Sequence, residues 1–210
     1  MSESLIVLGA GGHAKVVIST AHALGYIVTA LYDDLAEKQG TVVLGAPVVG
    51  SIQQLAKNAA PEAMYFIAVG DNIARKRIDS WMPSVRWATL IHPRAWVDSS
   101  VKVGSGTLIS AGVVVQPDTV IGRHCIVNTM ASIDHDCHLG NFVHIAPGAR
   151  LTGGVRADEG VVIGAGSTIL PGVHIGAWSI VGAGAVVLED VPSGVIVAGV
   201  PARIISERSL

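Results

Sequence analysis

Aromatic residues make up only 4% of the 210 residues and charged residues 14%, so any core must be built from aliphatic side chains. The formal net charge is -2, with no basic run and no interleaving of aromatic and basic residues, which gives no reason to expect a nucleic-acid partner. Only two cysteines are present, Cys125 and Cys137, and they form no disulfide framework. Long apolar runs are missing as well. The first, Leu5 to Leu8, is cut short by glycines and is preceded by no basic segment, so neither a signal peptide nor a membrane span is expected, and the cytoplasm is the expected location. What the sequence has instead is aliphatic residues and glycine. Half of the residues are apolar and 25 are Gly, where roughly 7% would be ordinary, and this mixture predicts short aliphatic strands joined by many tight turns.

The texture changes near residue 90, dividing the chain into an expected α/β domain over 1–88 and a second domain over 89–210. In the first, LIVLG (5–9) reads as a buried strand, GAGGHA (9–14) as a glycine-rich turn and 14–24 as a helix ending at Gly25. YIVTALYDD (26–34) and MYFIAVG (64–70) read as further strands. Ser51 is placed to cap a short helix, and 72–81 is a helix stopped by Pro83. Alternation of this kind predicts a small parallel sheet covered by helices.

In the second domain a six-residue repeat dominates. Counting in sixes from Val97 to Val187, every position except Ala157 is a large aliphatic. Two residues earlier sits a small or aliphatic side chain, as at Val101, Thr107, Val113, Cys125, Ala131 and Cys137. Residues two apart on a strand share a face, so both sets are expected to point inward. A six-residue period gives one short strand and one corner, and three of these close a triangular coil of about 18 residues, about five coils in all. Glycine follows the aliphatic at 104, 122, 140, 164, 176 and 182, where the corner is expected to bend the chain without a Cβ. Ala157, within the polar stretch 156–160, is expected to mark a bulging corner.

GAGG follows a strand and precedes a helix, the arrangement in which free backbone N–H groups receive phosphate. The last glycine of a dinucleotide fingerprint is replaced by Ala14, and only about 90 residues are present, too few for two mononucleotide halves. The turn therefore suggests a smaller nucleotide rather than a dinucleotide oxidoreductase, with a tight structural turn alone as the alternative.

Taken together, GAGGHAK (9–15), YDD (32–34), PVVGS (47–51), AVGDN (68–72), IHPRA (91–95), NTMASIDHDCHLGNFVHIAPGARLTGG (128–154) and AGVPAR (198–203) resemble the sialic acid O-acetyltransferases and nucleotide-amino-sugar N-acetyltransferases among the hexapeptide-repeat acyltransferases. The resemblance covers nearly the whole chain. It implies a Rossmann-like α/β domain with a parallel sheet, followed by a left-handed parallel β-helix. It also implies homotrimers with acetyl-CoA bound between adjacent subunits. It assigns the first domain to the nucleotide sugar, with Gly12, His13 and Ala14 against the phosphates and sugar, Asp33 and Asp34 reaching the nucleoside or framing its pocket, and Gly70 in the same crevice. Asn128 is implied beside the incoming amine or as a corner residue. His144, Gly153, Ala165, Ala183 and Arg203 are implied along acetyl-CoA, with His144 as a packing histidine between subunits and Arg203 as a residue that holds the tail being the alternatives.

Acetyl transfer from a thioester needs a base for the proton of the attacking amine or hydroxyl, and a neutral imidazole has a suitable pKa. His135, at a corner near the middle of the coil stack, is expected to be that base, with Asp136 orienting it. The family usually carries Glu after its histidine, so the shorter arm of Asp136 leaves Asp134 or a residue of a neighbouring subunit as the alternative orienter. Carbonic anhydrases on the same helix hold zinc through histidines, and His135, Cys137, His138 and His144 permit that reading. However, Cys137 lies at an inward position and reads as core, so no metal is expected. The resemblance implies N-acetylation of the 4-amino group of a UDP-linked 4-amino-4,6-dideoxy sugar, and no acyl-enzyme is expected. O-acetylation of sialic acid or a related surface-glycan sugar, and a non-catalytic trimeric scaffold, are the alternatives.

Overall fold

The computed structural model describes residues 3–208. Two compact units divide the chain, Met1–Pro93 and Arg94–Leu210.

In the first unit the strands are β1 (Ser4–Leu8), β2 (Ile27–Tyr32), β3 (Val42–Val43), β4 (Ala46–Gly50), β5 (Met64–Ile67) and β6 (Arg86–Trp87). They form one sheet in the order β3-β4-β2-β1-β5-β6, parallel throughout except for the β3–β4 pair. β1 lies at the centre with Leu5, Val7 and Leu8 fully buried, as expected of a strand covered on both faces. Helix α1 (Gly12–Ala23) buries Ala14, Val17, Ile18 and Ala21, a spacing that puts one apolar stripe against the sheet. Helix α2 (Ile52–Ala56) is capped by Ser51, whose hydroxyl accepts the Gln54 N–H at 3.2 Å. Helix α3 (Asn72–Trp81) is capped by Asp71, which accepts the Ala74 N–H at 2.7 Å. Leu8, Ile52, Tyr65, Ile67, Ile78 and Met82 close the core between α2, α3 and the sheet.

The sheet has more strands than the three expected. A hairpin joins β3 to β4 through Leu44 (φ 47°) and Gly45 (φ 86°), a two-residue loop with positive φ at both positions. β3 is only two residues long, and β4 contains Pro47, which offers no ladder donor, so neither reads as a strand from its sequence, although β4 alternates buried and exposed residues from Ala46 to Gly50.

In the second unit, two-residue strands recur every six residues from Trp96–Val97 to Val186–Val187. They stack in three parallel ladders that pair residue i with residue i+18. The first face carries Leu108–Ile109, Ile126–Val127, His144–Ile145 and Val162–Ile163. The second carries Val114–Val115, Ser132–Ile133 and Arg150–Leu151, and the third Val120–Ile121, His138–Leu139 and Arg156–Ala157. The counted aliphatics are the second residue of each strand and are buried from Ile109 to Val187. Buried polar residues two places earlier use the corner carbonyls of the next coil. Thr107 Oγ1 donates to Gly122 O at 2.9 Å, Thr119 Oγ1 to Asp134 O at 2.9 Å and Cys125 Sγ to Gly140 O at 3.1 Å. Both cysteines are free thiols.

Two expectations are corrected here. The glycines after the aliphatics do not supply the bend. The left-handed backbone lies two residues further on, at Gly106, Gly112, Gly148 and Gly154, and also at Asp118, His124, Met130, Asp136, Phe142 and Trp178. The earlier glycines are required by close stacking: a Cβ on Gly122 would lie 2.6 Å from the Gly140 carbonyl carbon. Nor does Ala157 mark a bulge. It is 2% exposed and pairs in register with Leu139 and Ile175. Gly140 N–H donates to Ala157 O at 2.7 Å and Asp158 N–H to Ile175 O at 2.9 Å, and such ladder bonds do not depend on side-chain size.

Candidate active site

The glycine-rich turn of the first unit opens into a pocket of about 360 Å³. Of the six residues expected in that crevice, Gly12, His13, Asp33, Asp34 and Gly70 line it. Ala14 is not among the lining residues. It is the first residue on the inner stripe of α1 and fully buried. Asp33 frames the turn: its Oδ2 accepts the Ala10 N–H at 2.7 Å and its Oδ1 the Leu35 N–H at 2.9 Å. Asp34 Oδ1 accepts the Gln53 N–H at the start of α2 at 3.3 Å. Burial first, and then the positive charge of Arg75, push the His13 imidazole down to about 4. His13 is therefore neutral near pH 7, and its Nε2 has no hydrogen-bond partner. Arg75 is itself 1% exposed and donates to Val69 O, Gly70 O and Asn72 Oδ1. Sequence reasoning missed Arg75 and the pocket-lining Arg77, because charged residues in a polar helix read as its solvated face.

In the second unit, His135 and Asp136 occupy the corner that joins the second face to the third, just after Ser132–Ile133. Asp136 has φ 60° and its N–H donates to Pro117 O one coil below. This left-handed turn brings its carboxylate back to the preceding ring, where Oδ2 lies 2.7 Å from His135 Nδ1. The shorter arm therefore reaches. Asp134 Oδ1 instead accepts the His135 N–H at 3.0 Å. Both members of the pair are exposed, at 60% and 66%. The hydrogen bond to Asp136 is the main cause that holds the imidazole above the ordinary histidine range; burial opposes it, and the charges of Asp134 and Asp136 add to it. With Nδ1–H donating to Asp136, Nε2 is left as the acceptor.

Gly153 lies one coil along from His135, and a Cβ there would come within 2.6 Å of the ring's Cε1. The imidazole thus rests over the one residue type that leaves it room. Cys137 is no nucleophile: burial pushes its thiol up to about 11, and its Sγ donates to Thr152 O at 3.2 Å.

The remaining expected residues lie elsewhere on the prism. His144 is half-buried on the first face. Asn128, Ala165 and Ala183 lie at the corner that joins the first face to the second, with both alanines exposed. Asn128 Oδ1 accepts the Thr129 N–H at 2.8 Å within that corner. Arg203, on the terminal strand Ala202–Glu207, donates to its own neighbour Ala202 O and lines a pocket of about 340 Å³ with Glu189 and Asp190. One chain therefore keeps His135, Asp136 and Gly153 on one edge and Asn128, Ala165 and Ala183 on another. Among the described residues no group of three or more His, Cys, Asp or Glu could hold a metal ion.

Residues 4–82 match the PglD N-terminal domain and residues 158–189 the bacterial transferase hexapeptide model of six repeats. GDP-perosamine N-acetyltransferase of Escherichia coli is 35% identical over 173 residues, covering 77% of this chain and 78% of the relative. The chain belongs to the nucleotide-amino-sugar N-acetyltransferase family of hexapeptide-repeat acyltransferases. A second member of the family, UDP-N-acetylbacillosamine N-acetyltransferase of Bacillus subtilis, is 38% identical over 52% of each chain. The crystal structure of PerB from Caulobacter crescentus, in complex with CoA and GDP-perosamine, superposes with a TM-score of 0.88 at 41% identity and covers 96% of both chains. The fold is that expected of the family, an α/β domain followed by a left-handed parallel β-helix. The chain is an acetyl-CoA-dependent sugar acetyltransferase. Among the described residues no helix is long and apolar enough to cross a membrane.

Proposed function

We propose that this chain transfers the acetyl group of acetyl-CoA to the 4-amino group of a nucleoside-diphosphate-linked 4-amino-4,6-dideoxy sugar, in one step and with His135 as the base. The observation that carries this reading is the His135–Asp136 pair at 2.7 Å, with Nε2 left open above Gly153. The sugar amine attacks the thioester carbonyl and Nε2 takes its proton. The C–S bond then breaks, and the same proton leaves with the CoA thiol. Asp136 stabilises the imidazolium between these steps. The buried, carbonyl-bonded Cys137 supports direct transfer without an acyl-enzyme.

The acceptor is held by the first unit, where the α1 N-terminus, the neutral His13 and the Asp33-braced turn line one pocket. UDP is the nucleotide that the family resemblance implies. The relative matched over most of its length is named for a GDP sugar and the one matched over half for a UDP sugar, so GDP stands beside it. We propose a homotrimer as the working form; the division of the expected acetyl-CoA residues over two prism edges supports a site shared between neighbouring copies.

The test is a panel of UDP- and GDP-linked amino sugars and sialic acids with acetyl-CoA, reading free thiol and product mass, for the wild type and His135→Ala. N-acetylation of one nucleotide amino sugar, with kcat lower by about 10²- to 10⁴-fold in the variant, supports the proposal. Turnover unchanged by the substitution removes His135 as the base, and acetylation confined to sialic acid removes the acceptor assignment.

A further inference from the structure

The nucleotide pocket contains a mismatch of charge. A sugar linked through a diphosphate brings a dianionic linkage, yet two of the lining side chains, Asp33 and Asp34, are carboxylates. Two nearby groups supply no direct ion pair to it. His13 is neutral near pH 7, and Arg75, although its charge is felt at His13, is buried with its guanidinium committed to Val69 O, Gly70 O and Asn72 Oδ1. Among the described lining residues, Arg77 is the one Lys or Arg. Its side chain is exposed, and its guanidinium carbon lies 5.5 Å from the centre of the Trp81 ring, one helical turn further along α3. Trp81 itself lines a second cavity, of about 400 Å³, with Gln53, Ala56 and Lys57. Arg77 thus stands between two cavities on α2 and α3, resting on an aromatic face from which an exposed cation is easily drawn.

We infer that Arg77 binds the diphosphate of the acceptor, leaving Trp81 and turning into the pocket when the nucleotide enters. A guanidinium offers a planar pair of donors to phosphate oxygens, and such charge-assisted bonds are about twice as strong as neutral ones. The α1 N-terminus supplies backbone N–H groups to the same anion but no full charge. Because the contact is to phosphate, it does not distinguish uracil from guanine. This inference rests on the assignment of the pocket to a nucleotide sugar.

Titration calorimetry with UDP and with GDP, on wild type, Arg77→Gln and Arg77→Lys, tests it together with steady-state kinetics. For whichever nucleotide the wild type binds, Arg77→Gln is expected to raise Kd, and the KM for the nucleotide sugar, by about 10- to 100-fold. The KM for acetyl-CoA and kcat at saturation should be unchanged, with partial recovery in Arg77→Lys. Tryptophan emission of the wild type should change on nucleotide addition, and that change should be lost in Trp81→Phe. Wild-type binding that Arg77→Gln leaves intact overturns the role of Arg77 alone. Wild type that binds neither nucleotide overturns both this role and the acceptor assignment.

Discussion

Asp136 pairs with His135 because its backbone lies at φ 60°, a conformation that Asp adopts more readily than most residues. The sequence shows the two residues side by side but not this turn, and adjacent side chains ordinarily diverge. The pairing raises the histidine pKa, and the base must be neutral to act, so the acid limb of kcat/KM reports that raised value. Asp136→Asn keeps the size and removes the charge. We expect the acid limb to move to lower pH, because the hydrogen bond that is the main cause of the upward shift becomes a weaker one to a neutral amide oxygen and the carboxylate charge is gone. At the same time kcat should fall by at least about tenfold, because the imidazolium loses its counter-charge. A pH–rate profile that does not move would show that Asp136 does not tune the base. Arg75 and Arg77 mark the limit of legibility at this scale, since nothing in their spacing tells a buried cation from a pocket cation or a solvated one.

Among the elements, the β-helix was readable because each coil repeats one instruction. The aliphatic register from Val97 to Val187 gives strand position and facing without any reference to distant residues. The role of the glycines was not readable, because close approach between coils involves residues 18 apart, whereas a turn is local. The two roles separate in a pair of variants. Gly148 has φ 68° with nothing within 4 Å of an added Cβ, so Gly148→Ala meets only the left-handed backbone penalty, about 1 kcal/mol. Gly122 has no such φ, but its Cβ would meet backbone atoms of Gly140 and Asn141 at 2.6–2.7 Å, and backbone cannot rotate aside. Gly122→Ala is expected to cost about 3 kcal/mol and to melt at the lower temperature of the two. Equal melting temperatures would show that the stacked coils give way to a methyl group, and that close approach does not require glycine there. The β3–β4 hairpin escaped detection for a similar reason: β4 is recruited by pairing with β2, a contact its own residues do not announce.

For the whole molecule, the question is why a single prism looks incomplete. His135 and Gly153 lie where the second face meets the third, whereas His144 lies on the first face and Ala165 and Ala183 at its junction with the second. No rotamer carries a side chain from one edge of a triangular coil to another, so if both sets serve one acetyl-CoA, they come from two copies. In a closed ring of three, each site then takes His135 from one subunit and His144 from the next. His135→Ala and His144→Ala subunits should each be impaired as pure trimers. Any ring that contains both kinds has a single junction where an intact His135 faces an intact His144, which restores one site in three. Random assembly from equal amounts makes about three-quarters of the rings mixed, so co-expression should return about a quarter of wild-type activity. The measurement is acetyl transfer by the co-purified mixture against the sum of the two pure variants. Activity no greater than that sum would place the whole site within one chain and leave His144 outside it.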